Sequence, residues 1–224
     1  MEFPNTHHPT PEEGNVIAIV DYGAGNLRSV EKTLERLGHA ATVTSESEVV
    51  LSADGVILPG VGAARGIMGG LRKLRLVEPI REVIRRGTPF LGICMGLQAL
   101  FTESEEGGEA CLDVVPGRVR RLPEGLKVPH MGWNDVRQVV SHPLWEGIPD
   151  RTYFYFVHSY YVDPEDRSMV IGEAEYGLPF TTAIGAGNLM GTQFHPEKSG
   201  AMGLRIYDNF ARLVRDGLPG NTGR

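Results

Sequence analysis

The chain has 224 residues, 41% of them hydrophobic and 22% charged, the proportions of a globular domain rather than of a disordered, coiled-coil or collagen-like chain. At roughly 100–200 residues per domain, that length predicts one large domain. Lys plus Arg number 22 against 28 Asp plus Glu, a net charge of −6, which speaks against a broad phosphate-backbone binder needing a clustered basic face.

Residues 1–14 are polar, contain Pro4, Pro9, Pro11 and the adjacent His7 and His8, and read as a disordered N-terminal extension. They lack the basic start and apolar run of a secretory signal. An apolar run at 16–22 then predicts a strand, and 26–38 a helix. In that helix Leu27, Val30, Leu34 and Leu37 recur every three to four residues, and Gly38 sits where a left-handed C-cap belongs. Strands follow at 41–45, 55–60 and 89–94, with two helical stretches before the last. Short continuous apolar strands alternating with amphipathic helices imply a parallel sheet covered on both faces, joined by right-handed crossovers.

Shorter β-like runs near 117–122, 128–136, 153–162, 169–176 and 179–195 read as antiparallel elaboration of the same sheet, before a last helix at 200–216. The expected division is an N-terminal extension 1–14, one domain 15–217 and a tail 218–224. Segments 87–102 and 176–196 lack charged residues but are broken by Pro and Gly, so neither reads as a membrane span. Two cysteines, Cys94 and Cys111, are too few for a disulfide framework and fit a reducing cytoplasm; the sequence leaves a bridge between them open.

Gly92-Ile93-Cys94-Met95-Gly96 follows an apolar strand and precedes the helical pattern 97–101, which is a Gly-x-Cys-x-Gly nucleophile elbow in its expected context. A helix N-terminus or an imidazolium beside such a thiol favours the reactive thiolate. A base comes from Gln193-Phe194-His195-Pro196-Glu197. Pro196 favours extended geometry at His195, and residues two apart on an extended chain project to one side, so Glu197 can hold the ring. The backbone N–H of Met95 and the peptide of Val61, in the strand-end loop Pro59-Gly60-Val61-Gly62, are candidate oxyanion donors at the same sheet edge. Taken separately, Cys94 could be a core cysteine, His195-Pro196-Glu197 a surface turn and Pro59–Gly62 a plain loop.

In the order PGVG, GICMGLQ, QFHPE, these elements make the chain resemble the class I glutamine amidotransferases of the Cys-His-Glu type over about residues 16–215. DYGAGNLRSV (21–30), PHMGWN (129–134), YFVHSYY (155–161) and QFHPEKSG (193–200) are similar, within that class, to the glutaminase subunits of imidazole glycerol phosphate synthases. The resemblance implies a flavodoxin-like α/β fold with a mixed, mostly parallel sheet and helices on both faces. It implies attack of Cys94 on the glutamine side-chain amide through a thioester, with His195 as base then acid, oriented by Glu197. Gly60, Gln98, Ser159 and Tyr160 would bind the substrate. Asn26, Trp133, Tyr155 and Lys198 would face a (β/α)8 cyclase subunit, which uses the channelled ammonia in histidine biosynthesis. No cofactor, metal, nucleic acid or membrane is implied.

Gly23-Ala24-Gly25-Asn26 begins like a dinucleotide fingerprint, but Arg28 stands at the third glycine position. The adjacent His7 and His8, with Cys94, Cys111 and His195, do not form a structural zinc pattern. Two other readings remain: another amidotransferase or stand-alone cysteine hydrolase sharing the triad, and a flavodoxin-like binding module with a passive thiol.

Overall fold

The computed structural model describes residues 15–218, so the expected N-terminal extension and all but the first residue of the expected tail lie outside the described residues. The first half runs β1 (Ile17–Val20), α1 (Leu27–Arg36), β2 (Ala41–Thr44), α2 (Ser47–Ser52), β3 (Gly55–Gly60), α3 (Ala64–Lys73), α4 (Val77–Arg85), β4 (Phe90–Cys94) and α5 (Met95–Gln98). The second runs β5 (Phe101–Ser104), β6 (Glu109–Ala110), β7 (Val115–Arg121), β8 (His130–Gln138), β9 (Thr152–His158), β10 (Tyr160–Pro164), β11 (Val170–Glu175), β12 (Pro179–Ala186), β13 (Leu189–Thr192) and α6 (Gly200–Asp216).

The sheet order is β2-β1-β3-β4-β13-β12-β10-β7-β5-β6, with β11 joining β12 to a β8–β9 hairpin. The first five strands are mutually parallel, and antiparallel pairing begins at β13–β12. Every residue of β1, β3 and β4 is buried, which requires cover on both faces of the sheet. In α1, Val30 and Leu34 are buried, Leu27 and Leu37 pack on the same core, and Gly38 takes φ +82° just past the helix, as a left-handed cap requires. No helix among the described residues is long and apolar enough to cross a membrane.

Three expected elements divide differently. The run 153–162 breaks at Ser159 into β9, which pairs with β8, and β10, which pairs with β7 and β12. The run 179–195 turns at Gly187 and Asn188, and its second part, β13, returns parallel to β4. The helical pattern 97–101 ends early because segment 112–115 captures its carbonyls: Leu112 N–H donates to Ala99, and Val114 and Val115 N–H to Leu100. Phe101 therefore opens a strand.

Candidate active site

Cys94 ends β4, and its backbone takes φ +52°, a rare conformation for a residue with a side chain. Packing explains it. A Cβ on Gly96 would collide with the Leu58 carbonyl, and one on Gly60 with the Met95–Gly96 backbone, so α5 presses on the end of β3 more closely than any larger residue permits. Gly60 is the register partner of Cys94, which sets the Pro59–Gly62 loop beside the thiol. Cys94 and Cys111 are both free thiols, and burial, the main cause, raises Cys111 to about 11.

The parallel β13–β4 ladder pairs Thr192 with Ile93, so the chain beyond β13 leaves the same sheet edge as Cys94. It carries His195, whose Nδ1 lies 2.9 Å from Glu197 Oε1, both side chains being almost wholly buried. Burial alone would lower the His195 pKa. The Cys94 sulfur and the Glu197 carboxylate acting on the ring outweigh it and raise His195 from 6.5 to about 9. Burial likewise works against the Glu197 carboxylate, but His195, and then an Asn26 hydrogen bond, hold its pKa below the ordinary value. Because Glu197 occupies Nδ1, Nε2 is the ring nitrogen open to the thiol. The sulfur's hydrogen bonds otherwise run to the Val157 carbonyl at 3.9 Å and from Gln193 Nε2 at 3.6 Å.

Cys94, Val157 and His195 line a cavity of about 360 Å³ together with Val61, Met95, Gln98, Ser159, Tyr160 and Lys198. Gln98 projects from α5; its Nε2 donates to the Tyr160 carbonyl at 2.9 Å and to Gln193 Oε1 at 3.0 Å. Gln98 Oε1 is buried without a partner, an acceptor that a ligand's N–H would satisfy. The Val61 peptide is turned to Tyr22 instead: its N–H donates to the Tyr22 hydroxyl at 3.1 Å. Gly60, expected to bind the substrate, is the register partner of Cys94 but is not among the residues that line the cavity.

Asn26, expected at a partner surface, reaches the Glu197 carboxylate and accepts from Ser29 Oγ at 2.7 Å. Trp133 is 56% exposed on the β8–β9 hairpin, opposite Tyr155 in register and edge-on to its ring, and Lys198 Nζ stands over Tyr155 at 5.8 Å. Met131 at 61% and Tyr153 at 60% exposure extend that apolar face. Among the described residues no group of three or more His, Cys, Asp or Glu side chains is placed to hold a metal.

Several site residues carried no role in the sequence reading. Tyr207, buried in α6, donates its hydroxyl to Glu197 Oε2 at 3.3 Å. Ser199 braces the base loop, donating to the His195 carbonyl at 2.7 Å and accepting the Tyr155 N–H at 2.9 Å. His158 lines the cavity and meets His130 at 3.0 Å. The helical spacing of Tyr207 looks like core, and no local pattern marks Ser199; His158 and Gln193 lay inside the quoted motifs.

The family model "Glutamine amidotransferase class-I" matches residues 18–213. The chain is 56% identical over 208 residues to a Moorella thermoacetica protein named "Imidazole glycerol phosphate synthase subunit HisH", covering 92% of this chain and 98% of that one. A Dehalococcoides mccartyi (strain CBDB1) protein of the same name is 52% identical over 200 residues, covering 89% and 98%. Among solved structures, PurLQS from Thermotoga maritima superposes with a TM-score of 0.72 at 17% identity, covering 90% of this chain and 100% of that one, which shows the shared fold.

Proposed function

The chain belongs to the class I glutamine amidotransferase family, and on that premise we propose that it is the glutaminase subunit of an imidazole glycerol phosphate synthase, working in the cytoplasm as a heterodimer with a (β/α)8 cyclase. Residues 15–217 form its amidotransferase domain. The observation that carries the reading is a His195 ring with Glu197 on one nitrogen and Cys94 left to the other, at a cavity large enough for a free amino acid.

Cys94 gives its proton to His195 and attacks the γ-carbonyl carbon of glutamine. The developing oxyanion takes the Met95 N–H and, once it is released from Tyr22, the Val61 N–H. His195 then protonates the leaving nitrogen, and ammonia departs from a γ-glutamyl thioester. Water, deprotonated by His195, releases glutamate and restores the thiol. Glu197 keeps the ring oriented and offsets its charge, the role of the acid in triads generally. Gln98 Oε1, beside Gly60, Ser159 and Tyr160, accepts from the α-ammonium end of the substrate. Ammonia passes to the cyclase across the face formed by Trp133, Tyr155 and Lys198, with Asn26 linking that side to Glu197.

Because Tyr22 holds the second oxyanion donor, the chain alone should hydrolyse glutamine slowly and accelerate strongly with the ligand-bound cyclase. High turnover without a cyclase would instead favour a stand-alone hydrolase. In the complex, Cys94→Ala should abolish synthesis from glutamine and spare synthesis from added ammonium; loss of both would contradict a purely chemical role for Cys94.

A further inference from the structure

One buried amide in the site takes no part in the chemistry above. Gln193 is fully buried, and its backbone is fixed by an N–H bond to the Thr182 carbonyl at 2.7 Å. Since Thr192 pairs with Ile93, the next residues, Gln193 and Cys94, leave their strands side by side. Gln193 Nε2 stands 3.6 Å from the sulfur.

The surrounding network permits only one orientation of that amide. The Tyr160 carbonyl can only accept, so the Gln98 atom 2.9 Å away must be its nitrogen. The same nitrogen faces Gln193 at 3.0 Å, so there Gln193 must present its oxygen. Its nitrogen is thereby turned toward Cys94. The Tyr160 carbonyl is pinned in turn by His158 Nδ1 at 2.8 Å, which leaves His158 Nε2 to accept from His130 Nδ1 at 3.0 Å. This sequence requires His158 neutral, and burial keeps it so, lowering it to about 3; burial likewise lowers His130 to about 4. As a thiol, Cys94 can donate to the Val157 carbonyl at 3.9 Å. As a thiolate it has no proton for that bond, while the Gln193 N–H still faces it.

We propose that Gln193 is a further catalytic residue of the glutaminase reaction, whose Nε2–H holds the ionised sulfur of Cys94 while its Oε1 ties that sulfur to Gln98 in the glutamine pocket. The proposal rests on the reading of Cys94 as the nucleophile. No bond is made or broken at Gln193: the thiol proton goes to His195, and the sulfur's freed electron pair accepts from the amide. The titratable groups around the sulfur are His195 and Tyr22, with His158, Glu106 and Lys198 lining the same cavity.

The test is the pH dependence of alkylation by iodoacetamide in the full chain, followed separately at Cys94 and Cys111 by peptide mass spectrometry. Gln193→Met removes both hydrogen bonds at similar length. Gln193→Glu keeps the acceptor for Gln98 but replaces the donor with a carboxylate. Losing one hydrogen bond to a charged group should raise the Cys94 inflection by about one pH unit in Gln193→Met, and by more in Gln193→Glu, where like charges add. Wild-type inflections in both folded variants would overturn the proposal. If wild-type Cys94 alkylated no faster than Cys111 at neutral pH, the nucleophile reading itself would fall, and this proposal with it. Should either variant not fold, the side-chain nitrogen resonance of Gln193 in the wild-type chain decides. It should titrate with the Cys94 midpoint, and an unmoved resonance would overturn the assignment.

Discussion

The nucleophile wall of the cavity, where β3, β4 and α5 meet, is set by steric contact, whereas the base wall at residues 193–199 is held by side-chain hydrogen bonds. On the first wall Gly60 and Gly96 let backbone touch backbone and force Cys94 to φ +52°. On the second, Ser199 donates to the His195 carbonyl, and Tyr207 and Asn26 add hydrogen bonds to the Glu197 carboxylate beside that of His195. Added atoms therefore damage the first wall, and removed donors the second. The division suits the chemistry, because the attacking atom needs a fixed position while the base needs a tuned charge.

The sharpest way to break this comparison is to add one methyl group to the steric wall. Gly96→Ala should destabilise the chain by about 3 kcal/mol or more, since the new Cβ meets the Leu58 backbone, which cannot give way like a flexible side chain. Thermal melting measures it, and a wild-type melting temperature would mean that the elbow is looser than its contacts require. On the polar wall, Glu197→Gln should lower kcat by about a hundredfold, as the amide still orients the ring but no longer offsets its charge. Tyr207→Phe, which removes only one bond to that carboxylate, should cost roughly fivefold in kcat. Equal losses in the two variants would show that orientation, not charge, is what Glu197 supplies.

Tyr22→Phe sharpens the comparison from the other side. It frees the Val61 N–H from its 3.1 Å bond, so cyclase-free glutamine hydrolysis should rise by roughly fivefold, read directly as glutamate released. An unchanged or lower rate would mean that Tyr22 does not restrain the loop. A last test concerns pH. His130 and His158 have folded pKa values of about 4 and about 3, below their unfolded value of 6.5, so the unfolded chain binds more protons in that window. Their contribution is complete above 6.5 and is lost as pH falls toward the folded values. Melting temperature should decline across that range, and replacing both histidines with Phe should flatten the decline.

The same contrast explains what the sequence could and could not reveal. The parallel half was legible because β1, β3 and β4 are continuous apolar runs and α1 keeps its spacing through to Gly38. Cys94, His195 and Glu197 stood out because glycines and a proline flank them in chemically meaningful spacings. Gln193, Tyr207 and Tyr22 were not legible, since their roles come from strand register and from contacts between segments far apart in the chain. The early end of α5 was hidden for the same reason: the chain 112–115 captures its carbonyls, and no local signal announces that.

Labelling with an electrophilic glutamine analogue, a diazoketone, tests the central claim most directly. The claim predicts a single adduct, mapped by mass spectrometry to Cys94, formed faster with the cyclase bound and slowed by glutamine. Modification at Cys111, or labelling of Cys94 that glutamine does not slow, would contradict it.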